Sequence, residues 1–234
     1  MTRKMPSGKN WQRRIVAGPT ALDDEVWDSK GKMQLDFLLK QGLLPHHTFL
    51  EVGCGALRGG RHFIRYLDEG NYFAVDKEKV LVDAGVKAEL EGTALMDKTP
   101  TFGISPNADL SFIDPDVRFD FAWSMAVFIH IPPEAIKEIV AAVSKRLKPD
   151  GRFYATFHRS KDGEIHLSRP LDRHNWWRKR EHWGAKYPMS FIEEVAGAHK
   201  LKANYIGRWG HNANKDDLQV MLEFVKEEES ADLF

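Results

Sequence analysis

With 234 residues, 42% of them apolar, the chain has enough material for one large domain with a substantial core and does not resemble a disordered polypeptide. Its 34 basic and 34 acidic residues cancel, so overall charge recruits neither nucleic acid nor an anionic membrane. The single cysteine, Cys54, excludes an internal disulfide and a multi-cysteine zinc site.

No apolar run approaches the ~18–20 residues of a spanning helix. The start also lacks the apolar stretch of a signal peptide, so a cytoplasmic, non-membrane protein is expected. Residues 1–19 form a basic arm: Arg3, Lys4, Lys9, Arg13 and Arg14 stand without an acid, as a solvated terminus or a recognition arm. A helical cap is predicted over 20–42. Thr20 caps it, acids fill its first turn, Leu35, Leu38 and Leu39 give an apolar face, and Gly42 stops it. Gly31 predicts a break into two helices.

HTFLEVG then reads as a buried strand, RGGRHFIRYLDEG as a helix, NYFAVD as a strand and KEKVLVDAGVKAELEG as a helix. A short strand is expected near Pro100–Ile104 and a stronger one at RFDFAWSM. In PPEAIKEIVAAVSKRLKPDG, Pro132 and Pro133 open a helix, Ile136, Ile139, Val140, Val143 and Leu147 line one face, and Gly151 ends it. RFYATFH is a strand, 159–187 an inserted loop or lid, SFIEEVAGAHK a helix, and KANYIGRW and DLQVMLEFVK are two final strands. Alternating strands and helices imply parallel strands joined by right-handed crossovers, and the last two strands should pair antiparallel. The expected fold class is α/β: a Rossmann-like open sheet, mostly parallel with one antiparallel strand near the edge, and helices on both faces.

FLEVGCGALRGGRHFI turns sharply from strand to helix, and Gly53 and Gly55 let a ligand lie against the backbone at the strand's carboxyl end. The run Gly53, Gly55, Gly59, Gly60 puts the third glycine one residue late for a dinucleotide fingerprint. Glu51 would repel a pyrophosphate and suits an ammonium, and Asp76 can accept both hydroxyls of a ribose. These residues point to a nucleoside joined to an amino-acid-like cation.

EVGCG followed in order by YFAVD, FDFAWSMAVFIHI and LKPDGRFYATF resembles the class I S-adenosylmethionine-dependent methyltransferases, and the closing strand pair resembles the end of that fold. Leu57 departs from the family's third glycine. The resemblance implies a single methyltransferase domain over 20–234 with S-adenosyl-L-methionine as cofactor. By position, Glu51, Gly53 and Gly55 would hold its methionine part, Asp76 the ribose, and Lys77, Asn107 and Ala108 (with Asp109 nearby) the adenine; Arg58, at the helix N-terminus, is read separately as a partner for the cofactor carboxylate. Trp123, Ser124 and Met125 would line the floor beneath the methyl group. For Arg58 a solvated helix charge or an acidic substrate is the alternative, and for Cys54 packing is expected.

His130, in VFIHIPP, is the candidate catalytic base or else caps the next helix. The prolines of HIPPE come too late for the Asn-Pro-Pro-Tyr-like motif of some amino-methyltransferases. In the insertion, His158, His166, His174 and His182 with Trp176, Trp177 and Trp183 read as a lid or a surface loop. The eight-residue spacing of the last three histidines fits no metal site. Arg169, Arg173, Arg178 and Arg180 could meet an anionic group. His211 and Asn212 stand in the last loop, as a plain turn or as a contact to substrate or to a second copy in a homodimer. The expected activity is methyl transfer to an oxygen or nitrogen of a small-molecule acceptor. Alternatives are a nucleic-acid or protein methyltransferase, an inert cofactor-binding module, and a dinucleotide reductase, which lacks its Tyr-x-x-x-Lys pair here.

Overall fold

In the computed structural model, which describes residues 24–168, 184–209 and 219–227, Trp27, Gly31, Gln34 and Leu38 recur at the spacing of one helix face. All four are buried along an unbroken helix α1 (Asp24–Lys40). The break expected at Gly31 does not occur. A Cβ there would stand 2.1 Å from the carbonyl oxygen of Arg58 and 2.7 Å from the His62 ring, so the glycine serves close packing. Leu39, expected on the apolar face, is exposed. Gly42 closes the segment at φ +93°, as predicted.

The described residues fall into two units, within 1–113 and within 114–234, each taken here by itself. In the first, β1 (Phe49–Val52) is buried at all four positions, the pattern of a parallel strand covered on both faces. It pairs in parallel with β2 (Tyr72–Asp76), and β2 with β3 (Thr101–Ile104). Helices α2 (Gly60–Tyr66) and α3 (Lys79–Gly85) follow β1 and β2, and α3 continues as a π-turn over Val86–Leu90. Phe49 anchors the core, its ring 4.8 Å from Phe63 and 6.2 Å from Tyr72.

In the second unit, β4 (Phe119–Ser124) leads to α4 (Pro133–Arg146), where Pro132 is the cap, Pro133 opens the first turn, and Ile136, Ile139, Val140 and Val143 are buried. The helix ends at Arg146, not at Gly151. Pro149 disfavours helical backbone at Lys148, and Leu147 is already extended. Gly151 lies instead inside β5 (Leu147–Arg159), where a Cβ would stand 2.7 Å from the Phe119 carbonyl oxygen.

β5 runs parallel to β4, with Trp123 opposite Tyr154 and Ser124 opposite Ala155. A further neighbour of β5, β9 (Gln219–Lys226), is antiparallel to it and to β8 (Leu201–Trp209), as expected for the closing pair. The β8–β9 register slips between Tyr205 and Gly207, leaving Ile206 as a bulge. Helix α5 (Met189–Gly197) precedes β8. The segment 159–187, read as loop or lid, begins and ends in strands. β6 (His166–Ser168) pairs antiparallel with β7 (Gly184–Tyr187), and β7 pairs in parallel with the last two residues of β5. Among the described residues of this unit two strands are therefore reversed, β9 and β6, where one was expected.

Candidate functional site

After β1 the backbone takes positive φ three times, at Gly53 (+81°), Gly55 (+53°) and Leu57 (+60°). The Gly53 N–H donates to the Val75 carbonyl at 2.7 Å, and Leu57 N–H closes a turn on the Cys54 carbonyl at 3.0 Å. A Cβ on Gly55 would meet nothing within 4 Å, so this side of the loop is open. Leu57 is a non-glycine residue in the left-handed region, and its fully buried side chain offsets a cost of about 1–2 kcal/mol.

Two acids flank this loop. Asp76, at the end of β2, accepts the Gly55 N–H on Oδ2 and the Glu78 N–H on Oδ1, each at 2.8 Å. Each oxygen keeps a second lone pair. Burial raises its pKa, against the two backbone donors. Glu51 is buried and accepts the Tyr72 hydroxyl on Oε2 at 2.5 Å. Burial pushes it from 4.5 to about 8; the Asp76 charge adds to this, while Tyr72 and Arg58 oppose it. Gly60 makes room for this pair, since a Cβ would stand 2.6 Å from the Tyr72 oxygen and 3.2 Å from Glu51 Oε2. Tyr72 was not foreseen as a site residue. Its place in NYFAVD signals a core strand, and nothing in sequence spacing links it to Glu51.

Arg58 lies with its guanidinium 5.6 Å from the centre of the Trp27 ring on α1, and its Nε is buried without a hydrogen-bond partner. Burial lowers its pKa, with the Glu51 charge opposing. It is not a solvated helix charge. Arg61 is engaged in structure: it pairs with Glu89 of the π-turn at 2.8 Å and with Asp28 of α1. His62 stands 3.4 Å from Asp28, and burial followed by the Arg61 charge lowers its pKa. Helix α1 is thus clamped onto the glycine loop through Trp27, Asp28 and Gly31. Gly31→Ala should cost about 2–3 kcal/mol, because the methyl would meet a backbone carbonyl that cannot swing away. A thermal melt should drop by about 5–10 °C; an unchanged melt would refute this account of the clamp.

The adenine candidates sit on a loop tied to Asp76. Ser105 N–H donates to the Asp76 carbonyl at 3.0 Å. The Ser105 hydroxyl donates to Asn107 Oδ1 at 2.8 Å and accepts the Asp109 N–H at 2.9 Å. Ala108 is buried at φ +55°, whereas Asn107, Asp109 and Lys77 are exposed. Ser105 was also missed, although Ser-Pro-Asn-Ala-Asp carries the signature of a serine-capped turn. Glu51, Gly53, Gly55, Arg58 and Asp76 therefore surround one loop, with Asn107 and Ala108 on the segment braced against it.

The remaining candidates belong to the second unit. Ser124 ends β4, fully buried, with its Oγ lacking a partner; Trp123 before it is buried and Met125 after it is half-buried. His130 ends the 3-10 turn Phe128–His130 and is exposed. The bend between them is fixed by Ala126 (φ +58°), whose N–H donates to the buried Thr156 hydroxyl at 2.8 Å, and by Tyr187, whose hydroxyl donates to the Ile131 carbonyl at 2.5 Å. The basic arm, Thr20, Arg169, Arg173, His174, Trp176, Trp177, Arg178, Arg180, His182, Trp183, His211 and Asn212 lie outside the described residues.

The loop has an open face at Gly55, a locked carboxylate with free lone pairs, a carboxyl whose pKa burial raises to about 8, and a guanidinium whose buried Nε has no hydrogen-bond partner. Those features suit a ligand carrying a diol, an ammonium and a carboxylate; a pyrophosphate would face two acids.

Residues 50–155 match the family model described as a methyltransferase domain. Solved structures similar to this chain include magnesium protoporphyrin IX methyltransferase (ChlM) from Synechocystis PCC 6803 with bound SAM, at 15% identity and TM-score 0.60, covering 92% of this chain and 89% of that one. Burkholderia thailandensis 1,6-didemethyltoxoflavin-N1-methyltransferase, with bound 1,6-didemethyltoxoflavin and S-adenosylhomocysteine, matches at 18% identity and TM-score 0.60, covering 92% and 84%. An S-adenosylmethionine-dependent methyltransferase from Clostridium acetobutylicum ATCC 824 matches at 13% identity and TM-score 0.59, covering 92% and 95%. At these identities the likeness is one of fold, an α/β Rossmann-like sheet with antiparallel strands at the edge. No helix among the described residues is long and apolar enough to cross a membrane.

Proposed function

We propose, from the premise that this chain is an S-adenosylmethionine-dependent methyltransferase whose residues 50–155 match the methyltransferase-domain model, that it methylates an oxygen or nitrogen of a small-molecule acceptor. The observation that carries the cofactor part is the carboxylate of Asp76, locked by the Gly55 and Glu78 amides beside the open face of Gly55. The acceptor class draws support from fold relatives that include protoporphyrin and toxoflavin methyltransferases.

In this reading one domain spans 20–234, with α1 as its cap. When bound, the cofactor supplies a methyl group already activated on a sulfonium. Asp76 holds the ribose hydroxyls, Glu51 faces the ammonium, and Arg58 takes the carboxylate with its unpartnered Nε. Asn107 and Ala108 read the adenine edge, with Lys77 beside it, and Gly53 and Gly55 allow close approach. Alignment and exclusion of water are the protein's main contributions, because a methyl transfer of this kind needs few dedicated groups.

An acceptor hydroxyl also needs a base, and His130 is assigned that role. His130→Ala should lower turnover about a hundredfold or more while leaving cofactor affinity intact; equal turnover would return it to a structural duty. The whole reading is tested by release of S-adenosylhomocysteine from the purified protein against a library of small hydroxy and amino compounds. Turnover confined to nucleic acid or protein would overturn it.

A further inference from the structure

Across the three strands β5, β7 and β6 the register sets His158 opposite Lys186, and Lys186 opposite His166. Directly paired residues share a sheet face, and neighbouring strands lie about 4.8 Å apart. The three side chains therefore form one nitrogen-bearing row. Ala185 and Tyr187, alternating with Lys186, are buried, so the row turns outward: Lys186 and His166 are exposed and His158 half-buried. At the far end Asp162 receives His166 Nε2 on both carboxylate oxygens, at 2.7 and 2.9 Å, which fixes the ring.

With Lys186 between two imidazoles on one face, an oxyacid anion lying over the row could be met by more than one nitrogen at once. Asp162 is spent on His166, and the Lys186 ammonium has no hydrogen bond or ion pair among the described residues. The row also stands at the carboxyl end of β5, a strand parallel to β4, the end of an open α/β sheet where ligands bind.

We propose that His158, Lys186 and His166 form an anchoring site for an anionic oxyacid group, a carboxylate or phosphate, on the acceptor. The proposal deepens the small-molecule reading above and rests on it for calling the bound molecule an acceptor. Lys186 supplies the fixed charge, His166, with its Nε2 held by Asp162, presents its other ring nitrogen, and His158 stands at the opposite end of the row.

Inorganic phosphate and acetate, titrated separately into the full chain, should each shift the imidazole NMR signals of His158 and His166 saturably, and the tighter of the two identifies the preferred oxyacid. Lys186→Ala should weaken this binding about tenfold, the factor of one charge-assisted hydrogen bond, while Lys186→Arg retains it. Affinity for S-adenosylhomocysteine should be the same in all three proteins. Absent or non-saturable shifts in the native chain, or equal affinity in Lys186→Ala, overturn the site. Among hydroxy and amino acceptors that also carry a carboxylate, each should be methylated at its hydroxyl or amine in preference to the compound in which that carboxylate is a neutral amide; equal or opposite preference also overturns the site. Normal anion binding without any cofactor binding would leave the anion site standing and remove the methyltransferase reading, so the two failures are separable.

Discussion

Asp76→Ala is expected to weaken S-adenosylhomocysteine binding by at least about a hundredfold. The carboxylate accepts one backbone N–H on each oxygen, so it is oriented before any ligand arrives. Two ribose hydroxyls on the remaining lone pairs would make charge-assisted hydrogen bonds worth about 1.5–3 kcal/mol each. Alanine removes both and also releases the Gly55 and Glu78 amides, so the loop loses its brace. Asp76→Asn separates the two effects. Its oxygen can keep one amide while its NH₂ cannot accept from a hydroxyl, and binding should fall between the other two proteins. Calorimetry of all three provides the measurement; native affinity in Asp76→Ala would remove Asp76 from the site.

Binding of the same ligand at pH 7 should release close to one proton, and the source should be Glu51. In the free protein burial holds this carboxyl near 8, so it is mostly neutral at pH 7. An ammonium placed beside it favours the carboxylate and returns its pKa toward the ordinary range. Affinity should therefore rise by up to about tenfold per pH unit between roughly pH 6 and 8 and level off above.

Stability of the unliganded protein has the opposite sense. Between 4.5 and about 8 the folded state keeps a proton that the unfolded chain has lost, so stability falls as pH rises through that window. Glu51→Gln keeps an acceptor for Tyr72 and should abolish both trends. The check is calorimetry in two buffers of different ionisation enthalpy, alongside melts from pH 5 to 8. Equal proton release in Glu51→Gln would assign the proton elsewhere.

Strands and helices were legible where one physical signal dominated. FLEV, YFAVD and FDFAWS are apolar runs ending at turn chemistry, and the face of α4 recurs at helical spacing. Glycines proved ambiguous, because the same residue marks a stop, a positive φ or a close approach. Gly42 is a stop, Gly55 a positive φ, and Gly31 and Gly151 are close approaches whose neighbours lie far away in the chain. Leu57 shows the converse, a left-handed residue with no sequence mark, held by core burial. Within the site, Glu51 and Asp76 were legible from their place at the strand ends. Tyr72, the Trp27–Arg58 contact and the Arg61–Glu89 pair depend on long-range apposition, which one chain's spacing does not encode. The short β6–β7 pairing was hidden because three- and four-residue strands carry too little alternation to stand out from a polar loop.

The slipped register of β8 bears on how the protein behaves in concentrated solution. Among the described residues β8 pairs with β9 alone, which makes it an edge strand of that described set. Tyr205 and Ile206 are exposed there and would favour an encounter with another strand. The bulge at Ile206 breaks the regular spacing of donors and acceptors, and exposed Lys202 and Arg208 place positive charge on either side of it. A second molecule aligning with this strand would meet a mismatched ladder and like charges. The kink thus acts as a guard against sheet-to-sheet aggregation, and straightening it by deleting Ile206 would trade that colloidal protection for a more regular strand.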